Sequence, residues 1–239
     1  MQSEFLFRSA RSILLGVLCL WLLCFPAAAA PAGGYTVFVV PHSHIDVEWF
    51  WTYDPTRATA IPNLRQALVI LRQDPHYAFL QDMLSVLEPF WDTLQAEDRQ
   101  FLQRMIREGR LEVATGMPVQ PEVNEPDFES LTRQFLLGKP WLEQVLGSDI
   151  RTCWNIDTFG QTVQMPQLAW QAGLKYLVFA RDVPAPMQPR RRNLLTWKSP
   201  HGSRIPFFIV KENGYPGSLG SPRGRFFIFP AETRIHICE

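Results

Sequence analysis

The sequence predicts an α/β fold with parallel strands. Runs of β-branched and aromatic residues alternate about five times with amphipathic helical stretches, the pattern of βαβ units. Polar groups fall where the strand-like runs end, at His44 and Asp46, at Asp157 and at Arg181. Parallel α/β folds place their sites at those carboxyl ends. Apolar residues make up 46% of the 239 residues, enough to bury a sizeable core.

The N-terminal stretch stands apart from this pattern. Arg8 and Arg11 precede an apolar run from Ile13 to Phe25, and Pro26-Ala27-Ala28-Ala29-Ala30 follows. Residues 1–30 therefore read as a secretory signal peptide cleaved near Ala30. The run is short for a bilayer span, which needs ~20 apolar residues. No later stretch is apolar enough to cross one.

Thr36–Val40 reads as a buried first strand running into Pro41-His42-Ser43-His44-Ile45-Asp46. A helix is expected over Asn63–Arg72, with apolar residues at 64, 67, 68 and 71, stopped by Asp74-Pro75. Tyr77–Leu80 is a second strand. Leu84–Leu94 and Glu97–Glu108 are helices, and Gly109 ends the latter. Leu111–Thr115 is a third strand, leading into Gly116-Met117-Pro118. Asp127 should N-cap a helix through Leu146, with Gly147 beyond and Pro140 kinking or splitting it. Arg151–Ile156, a Pro166–Gly173 helix and Lys175–Ala180 continue the alternation. Pro184–Arg192 is a basic, proline-rich connection. Leu194–Trp197 and Ile205–Val210 form a hairpin around His201-Gly202. From 214 to 239 the texture turns Gly-Pro-Ser-rich and mixed, the mark of a disordered tail.

Lys plus Arg (23) equals Asp plus Glu (23), so there is no basic field for nucleic acid. Cys19 and Cys24 leave with the signal peptide. Cys153 should be a reduced core residue and Cys238 free. No Asn-x-Ser/Thr sequon occurs.

His44 and Asp46, two apart, share one face of an extended segment and offer a nitrogen and an oxygen to a zinc-type cation. Asp157, in Trp154-Asn155-Ile156-Asp157-Thr158-Phe159-Gly160, could complete that shell or attack an anomeric carbon. Each motif is short. His42 and His44 could instead cap a strand end, and Asp157 could be an N-cap or turn residue.

Taken together, Pro-His-Ser-His-x-Asp, Gly116–Val123 and Trp-Asn-Ile-Asp-Thr-Phe-Gly resemble glycoside hydrolase family 38, the zinc α-mannosidases. The resemblance runs from about Gly34 to Val210 and is closest to the lysosomal, core-type branch that includes the epididymis-specific enzymes. It implies a partial parallel (β/α) barrel of the glycoside hydrolase/deacetylase type, N-terminal part only, with residues 31–213 as that part of the catalytic domain. By the resemblance His44, Asp46 and Asp157 hold one Zn2+ per chain, and Asp157 is also the nucleophile. Trp49 and Phe159 match aromatics of the sugar pocket, and Arg181 a basic residue beside the nucleophile. His42 is not a ligand. The implied reaction is retaining hydrolysis of terminal α-mannose from N-glycans, in the lysosome or outside the cell.

The sequence departs from the family pattern in Ile45-Asp46-Val47-Glu48-Trp49, and in Gln161-Thr162 after the Phe-Gly. The resemblance further implies that the general acid and a fourth zinc ligand, a histidine, lie past residue 239. The chain thus reads as an N-terminal fragment or short isoform, inactive by itself. Two other functions fit the same residues: a secreted sugar-binding fragment without turnover, or a zinc carbohydrate deacetylase. The latter needs an H-x3-H pair that is absent. A chain that fails to fold is the third possibility.

Overall fold

A computed structural model describes residues 35–37, 41–181, 194–210 and 228–230. The chain divides into two units. In the smaller one β1 (Tyr35–Val37) pairs antiparallel with β9 (Ile228–Pro230). The segment from 214, expected to lack regular structure, therefore contains a strand at 228–230. Residues 38–40 of the expected first strand lie outside the described residues, as do the 184–192 connection and Cys238.

The larger unit carries the α/β pattern. The strand that bears His42 and leads into His44 is β2 (His42–Ser43), parallel to β3 (Phe79–Gln81), which is parallel to β4 (Leu111–Val113). Further along, β5 (Thr152–Asn155), β6 (Tyr176–Phe179) and β8 (Arg204–Ile209) are parallel neighbours, and β7 (Leu194–Lys198) pairs antiparallel at the edge of β8. The Thr115 N–H donates to the Thr152 carbonyl at 2.7 Å, and its hydroxyl to the Trp154 carbonyl at 2.8 Å, joining the two sheets where edge strand β4 meets edge strand β5. The result is an open, barrel-like wall whose parallel strands finish on one side.

Helices cover the wall: α1 (Tyr53–Gln73), α2 (Leu84–Asp92), α3 (Ala96–Arg107), α4 (Phe128–Leu146) and α5 (Met165–Gln171). Helix α1 begins ten residues before the expected Asn63. Its first half buries only Thr56 and Ala60, small residues that give little hydrophobic periodicity. The core packs Leu87, Phe90, Leu102, Met117, Leu142 and Ile150 in one cluster. Cys153 is buried and free, as expected, and burial pushes its thiol up to about 12.

Asp127 caps α4 as expected, accepting from the Ser130 N–H at 2.6 Å, and Gly147 ends it in the left-handed conformation (φ 69°). Pro140 does not split the helix, which runs unbroken from 128 to 146. The carbonyl it leaves without an in-helix donor belongs to Leu136, an exposed residue that water can reach. Gly138 is the tighter constraint. A Cβ there would lie 2.5 Å from the Gly116 carbonyl oxygen, so only glycine lets α4 approach the 116–117 backbone.

Gly138→Ala is therefore expected to destabilise the fold by about 1–3 kcal/mol through overpacking, reversing the ~1 kcal/mol gain alanine brings to an ordinary helix site. Urea denaturation reads the sign. Glu112 supplies a second check. Burial pushes its carboxyl pKa up, the hydrogen bond from Thr152 Oγ1 (2.9 Å) opposing this only in part. A raised folded-state pKa means stability falls as pH rises from the ordinary carboxylate value through the folded one. Glu112→Gln should thus unfold at a higher temperature than wild type at neutral pH, with the difference vanishing in acid.

Candidate active site

The functional side chains follow the carboxyl ends of the strands. His44 and Asp46 lie just past β2, Asp82 just past β3, Asp157 two residues past β5 and Arg181 two past β6. Thr56, buried in the first turns of α1, donates its hydroxyl to the Asp46 carbonyl at 2.9 Å and accepts from Trp51 Nε1 at 3.0 Å. The loop that carries Asp46 and the aromatics is thereby fixed to a helix.

His44, Asp46 and Asp157 converge. His44 Nε2 stands 3.4 Å from Asp157 Oδ2 and 3.8 Å from Asp46 Oδ1. One donor atom from each of the three residues lies within 4.8 Å of the others. Donors ~2.0–2.2 Å from a tetrahedral zinc are about 3.4 Å apart, so the two distances from Nε2 are close to what such an ion requires. Nε2 is also a buried atom with no hydrogen bond, aimed at two carboxylates. The residues therefore fit a zinc-type cation. Burial alone lowers the His44 pKa, but the hydrogen bond to Asp82 and the charges of Asp82, Asp157 and Asp46 outweigh it and leave the pKa above the usual histidine value.

Asp157 is held from two sides. Its Oδ1 pairs with Arg181 Nε, and its backbone N–H donates to Gln120 Oε1 at 3.3 Å. The Arg181 guanidinium also lies over the Phe159 ring, 4.8 Å from its centroid. The Phe159 N–H donates to Glu122 Oε1 at 3.2 Å, and the Asn124 side chain reaches the Phe159 carbonyl at 3.5 Å. Gly160 closes the turn at φ 78°, where a Cβ would meet Asn124 Nδ2 at 2.4 Å.

Trp49 is 58% exposed and Phe50 87%, with their rings edge to face at 5.0 Å. His42 packs edge-on against the Trp154 ring, centroids 5.7 Å apart, and is not part of the candidate ligand set. The sequence singled out neither Asp82 nor Asn124, and held Gln120 and Glu122 only as members of the Gly116–Val123 motif, with no role assigned. Asp82 follows a short buried strand, as Asp157 does, but sits in no motif. The signal for the others was the polar alternation at 120, 122 and 124, the spacing of side chains on one face of an extended segment.

Residues 34–221 match the model of the glycosyl hydrolases family 38 N-terminal domain. The chain belongs to glycosyl hydrolase family 38. Alpha-mannosidase 2x of Mus musculus is 35% identical over 146 residues, covering 61% of this chain and 13% of that protein. Lysosomal alpha-mannosidase of Cavia porcellus is 28% identical over 240 residues, covering 91% of this chain and 23% of that protein. The family 38 chain thus spans less than a quarter of these relatives. An alpha-mannosidase from Enterococcus faecalis V583 shares the fold, with a TM-score of 0.63 at 22% identity over 71% of this chain and 19% of that one.

Exposure of Trp49 and Phe50 argues that neither supports the core. Trp49→Ala is expected to leave the melting temperature unchanged, a cost within about 0.5 kcal/mol. A thermal melt showing a large loss would assign Trp49 to packing.

Proposed function

We propose that this chain carries the nucleophile and most of the metal shell of a zinc-dependent retaining α-mannosidase, acting on terminal α-mannose of N-glycans in the secretory pathway. The observation that carries the reading is the convergence of His44, Asp46 and Asp157, one donor atom of each within 4.8 Å of the others, in a chain of family 38. Residues 31–213 are then the N-terminal part of the catalytic domain, 1–30 the signal peptide and 214–239 a divergent end.

His44, Asp46 and Asp157 would hold the ion, and a bound zinc would supply Lewis-acid coordination for hydroxyl groups of the sugar. The protein does the rest. Asp157 attacks the anomeric carbon as the glycosidic C–O bond breaks, the departing oxygen taking a proton from a general acid elsewhere in the complete catalytic domain, and water later cleaves the glycosyl-enzyme with net retention. Arg181 and the Gln120 side-chain Oε1 hold the carboxylate and its backbone, so the nucleophile is oriented before substrate arrives. Trp49 and Phe159 offer apolar faces to the sugar. The reading assigns no residue of this chain as general acid, and a chain working without that group would lose about 10²–10⁴ in rate.

A second reading, a sugar-binding chain without turnover, draws on the exposure of Trp49 and Phe50. The deacetylase reading has no support beyond the Asp/His pair.

The test has two parts. The 239-residue chain should take up one zinc and show no detectable hydrolysis of an aryl α-mannoside; robust, chelator-sensitive release would overturn that. In a chimera supplying the remainder of a family catalytic domain, Asp157→Ala should abolish turnover with the fold intact by circular dichroism. A near-normal rate there would remove Asp157 as the nucleophile.

A further inference from the structure

One buried carboxylate beside the candidate ligands has been given no role. Asp82 is 1% exposed, and its Oδ2 lies 2.8 Å from His44 Nδ1 and 2.7 Å from Gln120 Nε2. Its Oδ1 is 3.2 Å from Gln81 Nε2. The orientation of the Gln120 amide follows from its other end. The Asp157 backbone N–H can only donate, so the group facing it is Oε1, and Nε2 must turn to Asp82. Asp82 thus accepts from two amides, and its Oδ2 acts as an acceptor. The shared proton at 2.8 Å then belongs to His44 Nδ1. The longer Gln120 contact to Nδ1, 3.3 Å, loses to the closer carboxylate.

We propose that Asp82 and Gln120 are positioning residues that hold His44 as its Nδ1–H tautomer, leaving the Nε2 lone pair directed at the ion. The inference rests on the reading of His44, Asp46 and Asp157 as metal ligands. The chemistry is general: a ligand imidazole whose far nitrogen donates to a carboxylate is fixed in tautomer and ring orientation, and becomes a stronger base. Gln120 adds a link that Asp82 alone lacks. Through its two ends, one amide ties the imidazole's support after β3 to the backbone of the nucleophile after β5. Displacing either loop disturbs both ligands.

Two readouts test this, neither of them catalytic. Long-range proton–nitrogen NMR on the metal-free chain, at a pH where His44 is neutral, should show Nδ1 protonated in the wild type and a loss of that preference in Asp82→Ala. Zinc titration against a chelating competitor should show affinity falling by about 10–100-fold in Asp82→Ala, with Asp82→Asn, which keeps an acceptor, recovering part of it. Gln120→Met removes no buried charge. It should weaken zinc in the same direction, and it decides the matter if Asp82→Ala does not fold. A wild-type His44 protonated on Nε2, or zinc affinity held within about twofold in the folded variants, overturns the proposal. A wild-type chain that takes up no zinc overturns the metal reading instead, while the NMR result on the metal-free chain still decides the tautomer.

Discussion

Thr115 holds the two parallel sheets to one another, and the site depends on that junction. Its backbone N–H and hydroxyl bond the Thr152 and Trp154 carbonyls, so the end of β4 is locked to β5. The residue is fully buried and adopts φ 73°, a left-handed conformation that is an outlier for a β-branched side chain. Such strain costs about 1–3 kcal/mol. Two hydrogen bonds of about 0.5–1.5 kcal/mol each, together with packing, offset it. The strands that lead into His44 and Asp157, β2 and β5, belong to separate sheets, and this seam holds the two sheets together.

The seam sets where the charges meet. Three carboxylates, Asp46, Asp82 and Asp157, surround one imidazole, and a guanidinium covers one oxygen of Asp157. A cluster with that much negative charge calls for a cation, and Arg181 meets the need on one side only. The atom left facing the remaining space is His44 Nε2. Placing a divalent ion there satisfies the orphaned nitrogen and the excess charge together.

The loop after β5 is held by polar side chains of one neighbouring segment. Gln120, Glu122 and Asn124 each contact the segment 157–159, at intervals of two residues. Gly160 lets the backbone pass close to Asn124, and Gly138 lets α4 press on the start of the segment that bears these three. The rigidity of Asp157 thus traces to a helix glycine about twenty residues earlier in the chain.

Local chemistry in the sequence determined most of the elements. Asp127 and Gly147 bounded α4 because a cap and a left-handed terminator act within a few residues. His44, Asp46 and Asp157 were legible because ligand types recur in short motifs at strand ends. The first half of α1 was not legible, since Thr56 and Ala60 are too small to mark a buried stripe. The continuity of α4 through Pro140 was not either, because it turns on which carbonyl faces water. Asp82 and Gln120 became visible only in three dimensions. Their roles come from hydrogen bonds spanning 38 and 37 residues, to His44 and to the Asp157 backbone. The chain specified which groups would stand at strand ends; only pairing of the strands decided which of those ends are neighbours, because hydrogen-bonding distance between remote residues is a property of packing and not of spacing.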